Sequence, residues 1–433
     1  MVNFIMKKFV YIYTYGCQMN VHDSEKMLGT LAQDGYTATA VPEKADLIIF
    51  NTCAIREKAE HKFYSQLGRI KHLKKSNPLL RIAVAGCVAQ DSRQKVMKRA
   101  PHVDFVLGPQ NLHVVRNLHD SNRNLFIEEN PDIAYQEYEM SRGSSTRAWV
   151  SIMYGCNNFC SYCIVPYTRG REVSRPSLSI LAEIRGLKEK GYKEVTLLGQ
   201  NVNSYLSDVD FVGLLCQIDS VGIERVRFVT SHPRDLSSAL IDAMVELPSL
   251  CNNLHLPLQS GSDGILQAMN RRYSYAEYRE KIDLIRNKVP SVTLSTDIII
   301  GFPGESESDF EQTVKAVEEI EFDGMFAFKY SKRKGTRAYD MPGQVPDEVK
   351  AERLDRLLNI QEDIALKGNR ALEGSVQEIL IEGLSETDPS MLMGRTRSNK
   401  IVTLDNNGAP EGSVLSVRIE KGRHHSLHGK KIL

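Results

Sequence analysis

The chain has 433 residues, of which 42% are hydrophobic and 25% charged, so it has enough apolar material for packed cores and global disorder is excluded. Its net charge of +1 excludes a strongly basic nucleic-acid tether but leaves room for local basic patches. No apolar run approaches the ~18 residues that a membrane span needs, and residues 1–10 resemble a strand rather than a signal peptide. We therefore expect a cytoplasmic protein with no membrane contact. A monomer is a separate expectation that these observations do not determine.

Predicted strands and helices alternate strictly from Phe9 to about Val115, which indicates a doubly wound parallel sheet. The first three strands each end at a cysteine, namely Cys17, Cys53 and Cys87. Because the carboxyl ends of parallel strands meet at one edge, we expect the three thiols to lie together and to ligate an iron–sulfur cluster. The alternative is three separate buried core cysteines. Five polar residues flank the cysteines and are candidates for orienting the ligands: Asn20, Asp23, Ser24, Asn51 and Thr52. For Asp23 and Ser24, helix capping is the favoured interpretation.

A second alternating region runs from Trp149 to about Ser331 and contains six strand–helix units, which predicts an open partial barrel. A long helical pattern follows, and short β runs after Gly374 predict a small antiparallel barrel of the oligonucleotide-binding type. The expected boundaries are an N-terminal domain at 7–125, a linker at 126–146, a core domain at 147–366 and the small barrel at 367–433.

The sequence GCNNFCSYC places Cys156, Cys160 and Cys163 at C-x3-C-x2-C spacing. Three thiolates on one loop can ligate three irons of a cubane cluster and leave the fourth iron open. The alternative is a zinc site, but zinc usually takes four ligands and the loop holds no fourth Cys or His. Cys216 and Cys251 have no such spacing, and we expect both to be structural.

Basic residues recur after this loop and in the predicted C-terminal barrel. Guanidinium and ammonium groups bind phosphate, so these residues are candidates for RNA contact, with an ordinary solvated surface as the alternative. The candidates are Arg169, Arg171, Arg175, Arg395, Arg397, Lys400 and Arg418.

The cluster loop resembles that of the radical S-adenosylmethionine (SAM) superfamily. The resemblance implies a (βα)6 partial barrel, a [4Fe–4S] cluster on Cys156, Cys160 and Cys163, and SAM cleavage by one electron to a 5′-deoxyadenosyl radical. By analogy, the SAM pocket is assigned to Tyr162, Gly199, Gln200, Ser231, Gln259, Asp297 and Gly301. For the glycines, ordinary turn geometry is the alternative.

Almost the entire chain resembles the methylthiotransferase family, as judged from YGCQMNVHDSEKM, NTCAIREKAEHKFYSQLGRIKHLK, YCIVPYTRGREVSRP, LPLQSGSD and GRTRSNKIV. The barrel resembles the TRAM domain, an RNA-binding module. The resemblance implies two [4Fe–4S] clusters, with all six cysteines catalytic and the auxiliary cluster carrying the sulfur. It also implies two SAM molecules, one as methyl donor and one as radical source.

Within the family, these strings are most similar to the branch that methylthiolates carbon 2 of N6-isopentenyladenosine 37, next to the tRNA anticodon. The partners implied are that anticodon stem-loop and a one-electron donor such as flavodoxin or ferredoxin. Two alternatives remain within the family: members acting on threonylcarbamoyl-adenosine or on a ribosomal-protein aspartate. A non-catalytic RNA-binding zinc protein is the alternative from another class.

Overall fold

The computed structural model describes residues 7–54, 57–118 and 124–432, which fold into two compact units. The first unit contains the described residues up to Gly143 together with 154–157 and 163–173, and the second contains 144–153, 158–162 and the residues from Ser174 onward. Within the described residues, no helix combines the length and apolarity needed to cross a membrane. Residues 1–6, which precede the first strand, and Arg56, where a predicted helix begins, lie outside the described residues.

The first unit is built on a six-stranded parallel sheet in the order β2-β1-β3-β4-β5-β6, as the strict alternation predicts. Apolar clusters cover both faces and all six residues of β3 are buried, which explains the continuous apolar run of its first four residues, Leu47 to Phe50. The elements are β1 (Lys8–Thr14), α1 (Gln18–Gln33), β2 (Tyr36–Ala38), β3 (Leu47–Thr52), α2 (Glu57–Arg69), α3 (Lys71–Ser76), β4 (Arg81–Gly86), α4 (Cys87–Ser92), α5 (Gln94–Arg99), β5 (Phe105–Leu107) and β6 (Asn124–Phe126).

Two short strands, β2 and β6, were not predicted because three residues give too little periodicity. Part of the expected linker packs within the first unit: Ile133 and Ala134 are buried, and the Ser141 amide donates a hydrogen bond to the Glu25 carbonyl oxygen at 3.1 Å.

The second unit contains six parallel strands that pair in two groups, β7-β10-β11 and β12-β13-β14, within the predicted partial barrel. One large apolar cluster packs the helices against them. From residue 147 the chain continues through β7 (Arg147–Ser151), β8 (Met153–Tyr154), α6 (Val165–Thr168), β9 (Val173–Ser174), α7 (Ser177–Glu189), β10 (Glu194–Leu198), α8 (Phe211–Val221), β11 (Arg225–Phe228), α9 (Ser238–Glu246), β12 (Asn253–His255), α10 (Asp263–Ala268), α11 (Tyr275–Lys288), β13 (Thr293–Ile300), α12 (Glu307–Ile320), β14 (Gly324–Lys329) and α13 (Asp347–Arg370).

The same unit ends in the predicted small barrel, which is closed in the order β15-β16-β17-β19-β18 around its own apolar core. Its last strand was not predicted, because the basic and histidine-rich segment hides the alternation of side chains. The strands are β15 (Val376–Leu384), β16 (Met391–Thr396), β17 (Ile401–Asp405), β18 (Val414–Gly422) and β19 (Leu427–Lys431).

Candidate active site

Cys17, Cys53 and Cys87 lie at one edge of the first unit's sheet. Each follows the carboxyl end of a strand, and these strands, β1, β3 and β4, are neighbours and parallel. Two of the thiols lie close enough for Cys53 to lower the pKa of Cys17, and the Cys17 thiol also donates to Oδ1 of Asn20 at 3.5 Å. The tertiary structure thus turns long sequence separations into proximity, as the strand-end pattern predicts. We refer to these three cysteines as the auxiliary trio.

Gly16 permits this convergence. Its φ of +124° is a conformation that L side chains rarely adopt, and a Cβ at this position would lie 2.4 Å from both the Cβ of Cys53 and Oδ1 of Asn20. Any larger residue here would push β1 and β3 apart at their carboxyl ends. The tight strand end therefore depends on glycine.

A buried network of hydrogen bonds between α1 and β3 lies beside the auxiliary trio. The Asn20 amide donates to Oδ1 of Asn51 and to the Thr52 carbonyl, both at 3.1 Å, and the Asn51 amide donates to the Asn20 carbonyl at 2.7 Å and to Ser24 at 2.9 Å. The interpretation of Asp23 and Ser24 as helix caps is wrong, because α1 begins earlier, with Cys17 at its N-cap, and both residues lie within the helix. Their position inside the fold serves the network and an ion pair instead.

The electrostatics at the trio favour the thiolate, which is the form that binds metal. The pKa of Cys17 is lowered to about 6, chiefly by the hydrogen bond with Cys53 and further by the charge of Arg169, although burial opposes the shift. Within the described residues, no three Cys, His, Asp or Glu side chains already form a metal-ligand set. The donor chemistry fits an iron–sulfur cluster, because three cysteines follow neighbouring strand ends and the pKa of one thiol, that of Cys17, is lowered.

The cluster loop connects β8 to α6. In the second unit its backbone is held by Asn270, whose side-chain amide donates to the carbonyls of Asn158 and Phe159 at 3.2 and 3.0 Å, and by Met269, whose carbonyl accepts from Ser161 at 2.9 Å. In the first unit, the Cys156 amide donates to the Gly170 carbonyl at 3.2 Å. Each contact fixes the part of the loop backbone that lies in its own unit.

Arg271 is a residue that the sequence did not single out. Its guanidinium is buried and lies 3.4 Å from the Cys160 sulfur and 3.5 Å from the Tyr162 hydroxyl, while it donates to the Pro257 carbonyl at 3.1 Å. Burial alone would lower the pKa of Arg271, but Tyr162, Tyr273 and Cys160 raise it well above its ordinary value. A fixed positive charge therefore faces one predicted cluster ligand. Nothing in the local sequence distinguishes this arginine from its exposed neighbour.

Three of the residues predicted for the SAM pocket carry buried polar atoms without a hydrogen-bond partner among the described residues. They are the side-chain amide of Gln200, the hydroxyl of Ser231 and Oε1 of Gln259. Such groups are costly to bury unpaired, so their shared position beyond the strand ends of β10, β11 and β12 fits a polar ligand such as SAM. Gln259 also has a φ of +72°, an uncommon backbone conformation of the kind that concentrates at functional sites.

The other predicted pocket residues have contacts of their own. Asp297 lies on β13, with Oδ2 3.4 Å from Nε2 of His255, and Tyr162 packs beside an apolar cluster. A Cβ on Gly199 would lie 2.4 Å from Cγ of Met153, and one on Gly301 would lie 2.3 Å from Cγ of Lys350. Protein packing therefore accounts for both glycines without a ligand.

The inner face of β13 and β14 is a further feature that the sequence did not reveal. Residues of β13 alternate between buried positions and half-buried ones such as Asp297, and its partner on β14 is Phe326, a side chain that is 56% exposed. The His255 ring lies edge-on to Phe326 with 6.2 Å between centroids. Because parallel sheets are normally covered on both faces, an open face with an exposed aromatic is a candidate binding surface.

The residues predicted to contact RNA fall into separate groups. Arg169 and Arg175 are buried and paired with Asp23 and Glu183, each at 2.8 Å, so neither presents a free charge to a phosphate. Arg171 and Arg418 are exposed.

The remaining three contact the protein where the small barrel meets the rest of the second unit. Arg395 pairs with Glu382 at 3.0 Å, Lys400 pairs with Asp323 at 2.7 Å, and Arg397 donates to the Leu250 carbonyl at 3.2 Å. From the core, Arg225 donates to the Arg395 carbonyl at 2.9 Å, and Arg227 donates to the carbonyls of Thr396 and Arg397 at 2.8 and 2.9 Å. These charges hold the β16–β17 turn in place.

The two remaining cysteines differ. Cys251 is buried, which raises the pKa of its thiol, as expected of a structural residue. The same expectation is wrong for Cys216, which is exposed on α8.

Comparisons with known proteins agree with this architecture. Residues 9–108 match uncharacterized protein family UPF0004, residues 150–317 match the radical SAM superfamily and residues 370–432 match the TRAM domain. Among solved structures, the radical SAM methyltransferase TsrM from Kitasatospora setae superposes with a TM-score of 0.58 at 12% identity, covering 77% of this chain and 75% of that one. At that identity the likeness supports the fold alone.

Curated relatives are similar over nearly the full length. The chain is 50% identical to the tRNA-2-methylthio-N(6)-dimethylallyladenosine synthase of Thermodesulfovibrio yellowstonii, over 97% of this chain and 98% of that protein. It is 47% identical to the synthase of the same name from Clostridium botulinum strain Langeland, over 98% and 96% of the two chains, and 46% identical to that of Carboxydothermus hydrogenoformans, over 98% and 99%. The chain therefore belongs to the tRNA-2-methylthio-N(6)-dimethylallyladenosine synthase family of radical SAM methylthiotransferases.

Proposed function

We propose that this enzyme inserts a methylthio group at carbon 2 of N6-isopentenyladenosine 37 in tRNA, using two SAM molecules and sulfur carried on an auxiliary cluster. The observation that supports it best is the auxiliary trio, a second set of three cysteines that follow neighbouring strand ends of the first unit's sheet, in addition to the three of the cluster loop. Relatives with nearly 50% identity carry this activity in their names.

The residues fit the groups that the reaction needs. Cys156, Cys160 and Cys163 would hold the radical SAM cluster, and Cys17, Cys53 and Cys87 the auxiliary one. When bound, the two clusters and SAM supply the electron, the hydrogen abstraction from carbon 2 and the methylated sulfur. Ordinary polar substitution at that carbon is difficult, which is why radical chemistry is needed.

The protein side chains do the binding and orientation. The unpaired amides of Gln200 and Gln259 and the hydroxyl of Ser231 would receive the polar groups of SAM. The open face at Phe326 would contact the apolar prenyl-adenine once that nucleotide leaves its stack, which costs a few kcal/mol in a loop.

RNA backbone contacts are best assigned to the exposed side of the small barrel. Arg418 on β18 lies directly opposite Lys430 on β19, and both are exposed. Arg171 is also exposed and remains a candidate. Arg397 and Lys400 instead stabilise the position of the barrel, and Arg395 pairs with Glu382 within it. We propose that the enzyme acts as a monomer and takes its electrons from a flavodoxin- or ferredoxin-type donor.

Mass spectrometry of nucleosides provides the test. The protein is reconstituted anaerobically, its iron is measured, and it is incubated with SAM, sulfide, reductant and tRNA from a strain that lacks this modification. We expect about eight irons per chain, as two cubanes require, and the 2-methylthio derivative of isopentenyladenosine. A product on threonylcarbamoyl-adenosine, no methylthiolated nucleoside in the tRNA, or zinc in place of iron would overturn the proposal.

A further inference from the structure

Arg169 and Asp23 form a buried ion pair in the first unit. Nη2 of Arg169 lies 2.8 Å from Oδ2 of Asp23, and the two side chains are 7% and 2% exposed. A buried ion pair is seldom the most stable choice, because desolvation of both charges offsets most of their attraction. Its presence therefore calls for an explanation other than stability.

The surrounding elements place this pair beside the auxiliary trio. Arg169 directly follows α6, and α6 packs against α4, which begins at Cys87. Asp23 lies on α1, whose N-cap is Cys17. Burial acts to lower the pKa of Arg169, but Asp23 and, after it, Cys87 and Cys17 raise it well above its ordinary value. The guanidinium thus faces two thiols, with the carboxylate as its anchor.

The main chain fixes the position of this arginine. Its carbonyl accepts a hydrogen bond from the Gln110 side chain at 2.8 Å, and the next carbonyl, that of Gly170, accepts from the Cys156 amide at 3.2 Å. A residue held by both side chain and main chain has little freedom to swing toward solvent. Its charge is therefore preorganised with respect to the thiols.

We propose that Arg169 is a positioning residue whose charge, anchored by Asp23, stabilises the reduced state of the group held by Cys17, Cys53 and Cys87. This inference rests on the proposed function, because it requires an auxiliary cluster there. One-electron reduction adds a negative charge to that cluster, so a fixed positive charge nearby makes the reduction potential more positive. The neighbouring carboxylate has the opposite effect, and we take it to be the weaker one, because Arg169 rather than Asp23 is the charge that acts on the Cys17 thiol.

The two charges therefore predict opposite shifts. In Asp23→Asn the guanidinium acts without its counter-charge, and the potential rises above that of the unsubstituted pair. In Arg169→Met the buried carboxylate acts alone, and the potential falls. The double variant Asp23→Asn/Arg169→Met is neutral, should fold without an unpaired buried charge, and is expected to lie between the unsubstituted pair and Arg169→Met. Arg169→Lys keeps the charge and is expected to restore most of the potential.

The experiment is carried out on the full chain with Cys156, Cys160 and Cys163 all replaced by Ala, so that only the auxiliary cluster is present. Each variant is reconstituted, its iron is counted, and the cluster is titrated with dithionite through mediators, which supply the electron, while paramagnetic resonance reports the reduced form. Arg353→Met is the matched control, because it breaks a buried pair with Glu305 in the second unit. It is expected to leave the potential unchanged.

We expect the reduction potential to be most positive in Asp23→Asn, followed by the unsubstituted pair and then by the double variant. It should be least positive in Arg169→Met. Shifts of the same sign in both single variants, or no shift in a double variant that retains its iron, would show that the pair serves packing alone. If the unsubstituted pair in this background binds no iron, the auxiliary cluster itself is absent, and the proposed function fails together with the inference.

Discussion

Replacement of Arg227 by Met should loosen the small barrel from the core. Arg227 is buried on β11, with Nε 2.9 Å from Oε2 of Glu194, and it donates to the carbonyls of Thr396 and Arg397 in the β16–β17 turn. The substitution leaves the Glu194 carboxylate, a side chain that is 4% exposed, without its cation. Breaking one partner of a buried pair costs about 3–5 kcal/mol, so we expect a loss of that size in the free energy of unfolding.

The double variant Arg227→Met/Glu194→Leu separates charge burial from packing. Replacing both members of a buried pair by apolar residues is often neutral or stabilising, so most of the loss should be regained. The control is Arg279→Met, which breaks an exposed pair with Asp283 on α11 and is expected to cost about 0–1 kcal/mol.

Urea unfolding of the apoprotein measures these values. The single tryptophan, Trp149, lies on β7 and pairs with Thr196 on β10, the strand that carries Glu194, so its fluorescence reports on the unit concerned. The midpoint and slope give the free energy by linear extrapolation. A buried pair predicts that Arg227→Met loses about 3–5 kcal/mol in the free energy of unfolding, so a loss below about 1 kcal/mol would refute the reasoning. A double variant that is as unstable as Arg227→Met would refute it as well.

Three further predictions concern the reaction. Alanine at any cysteine of the cluster loop should abolish 5′-deoxyadenosine formation, whereas alanine in the auxiliary trio should preserve it but stop sulfur transfer. Cys216→Ala, at an exposed cysteine, is the control, and 5′-deoxyadenosine that still forms in the cluster-loop variants would contradict this assignment of roles. Phe326→Ala should reduce the preference for isopentenylated over unmodified tRNA by the ~1–3 kcal/mol that added apolar carbon gains in a hydrophobic pocket. Leu178→Ala, exposed on α7, should leave the preference unchanged, and an unchanged preference in Phe326→Ala would remove Phe326 from the substrate surface. Arg418→Ala/Lys430→Ala should weaken tRNA binding and lower its salt slope by about 0.7–0.9 for each lost phosphate contact, with Lys315→Ala as control; an unchanged slope would exclude this face.

The sequence alone was sufficient for features that depend on periodicity and short-range spacing. Strand–helix alternation predicted the parallel sheets of both units, and the position of Cys17, Cys53 and Cys87 after predicted strands indicated that they lie at one sheet edge, because parallel strands end at the same edge. The C-x3-C-x2-C spacing requires no tertiary information, since one loop holds all three residues. The strand-end positions of Gln200, Ser231 and Gln259 were assigned by resemblance, and the structure adds their unpaired buried atoms.

The basic residues show what sequence cannot decide. Arg169 and Arg171 stand two positions apart in one motif, yet one is buried against Asp23 and the other is exposed. Arg397 likewise contacts protein carbonyls while Arg418 faces solvent. A charge run looks the same in either case, because the partner of each side chain lies more than 100 residues away along the chain for Arg169 and Arg397. The sequence therefore determined which strand ends lie together, whereas only the folded chain decided which charged side chains are buried against protein partners and which lie at the surface.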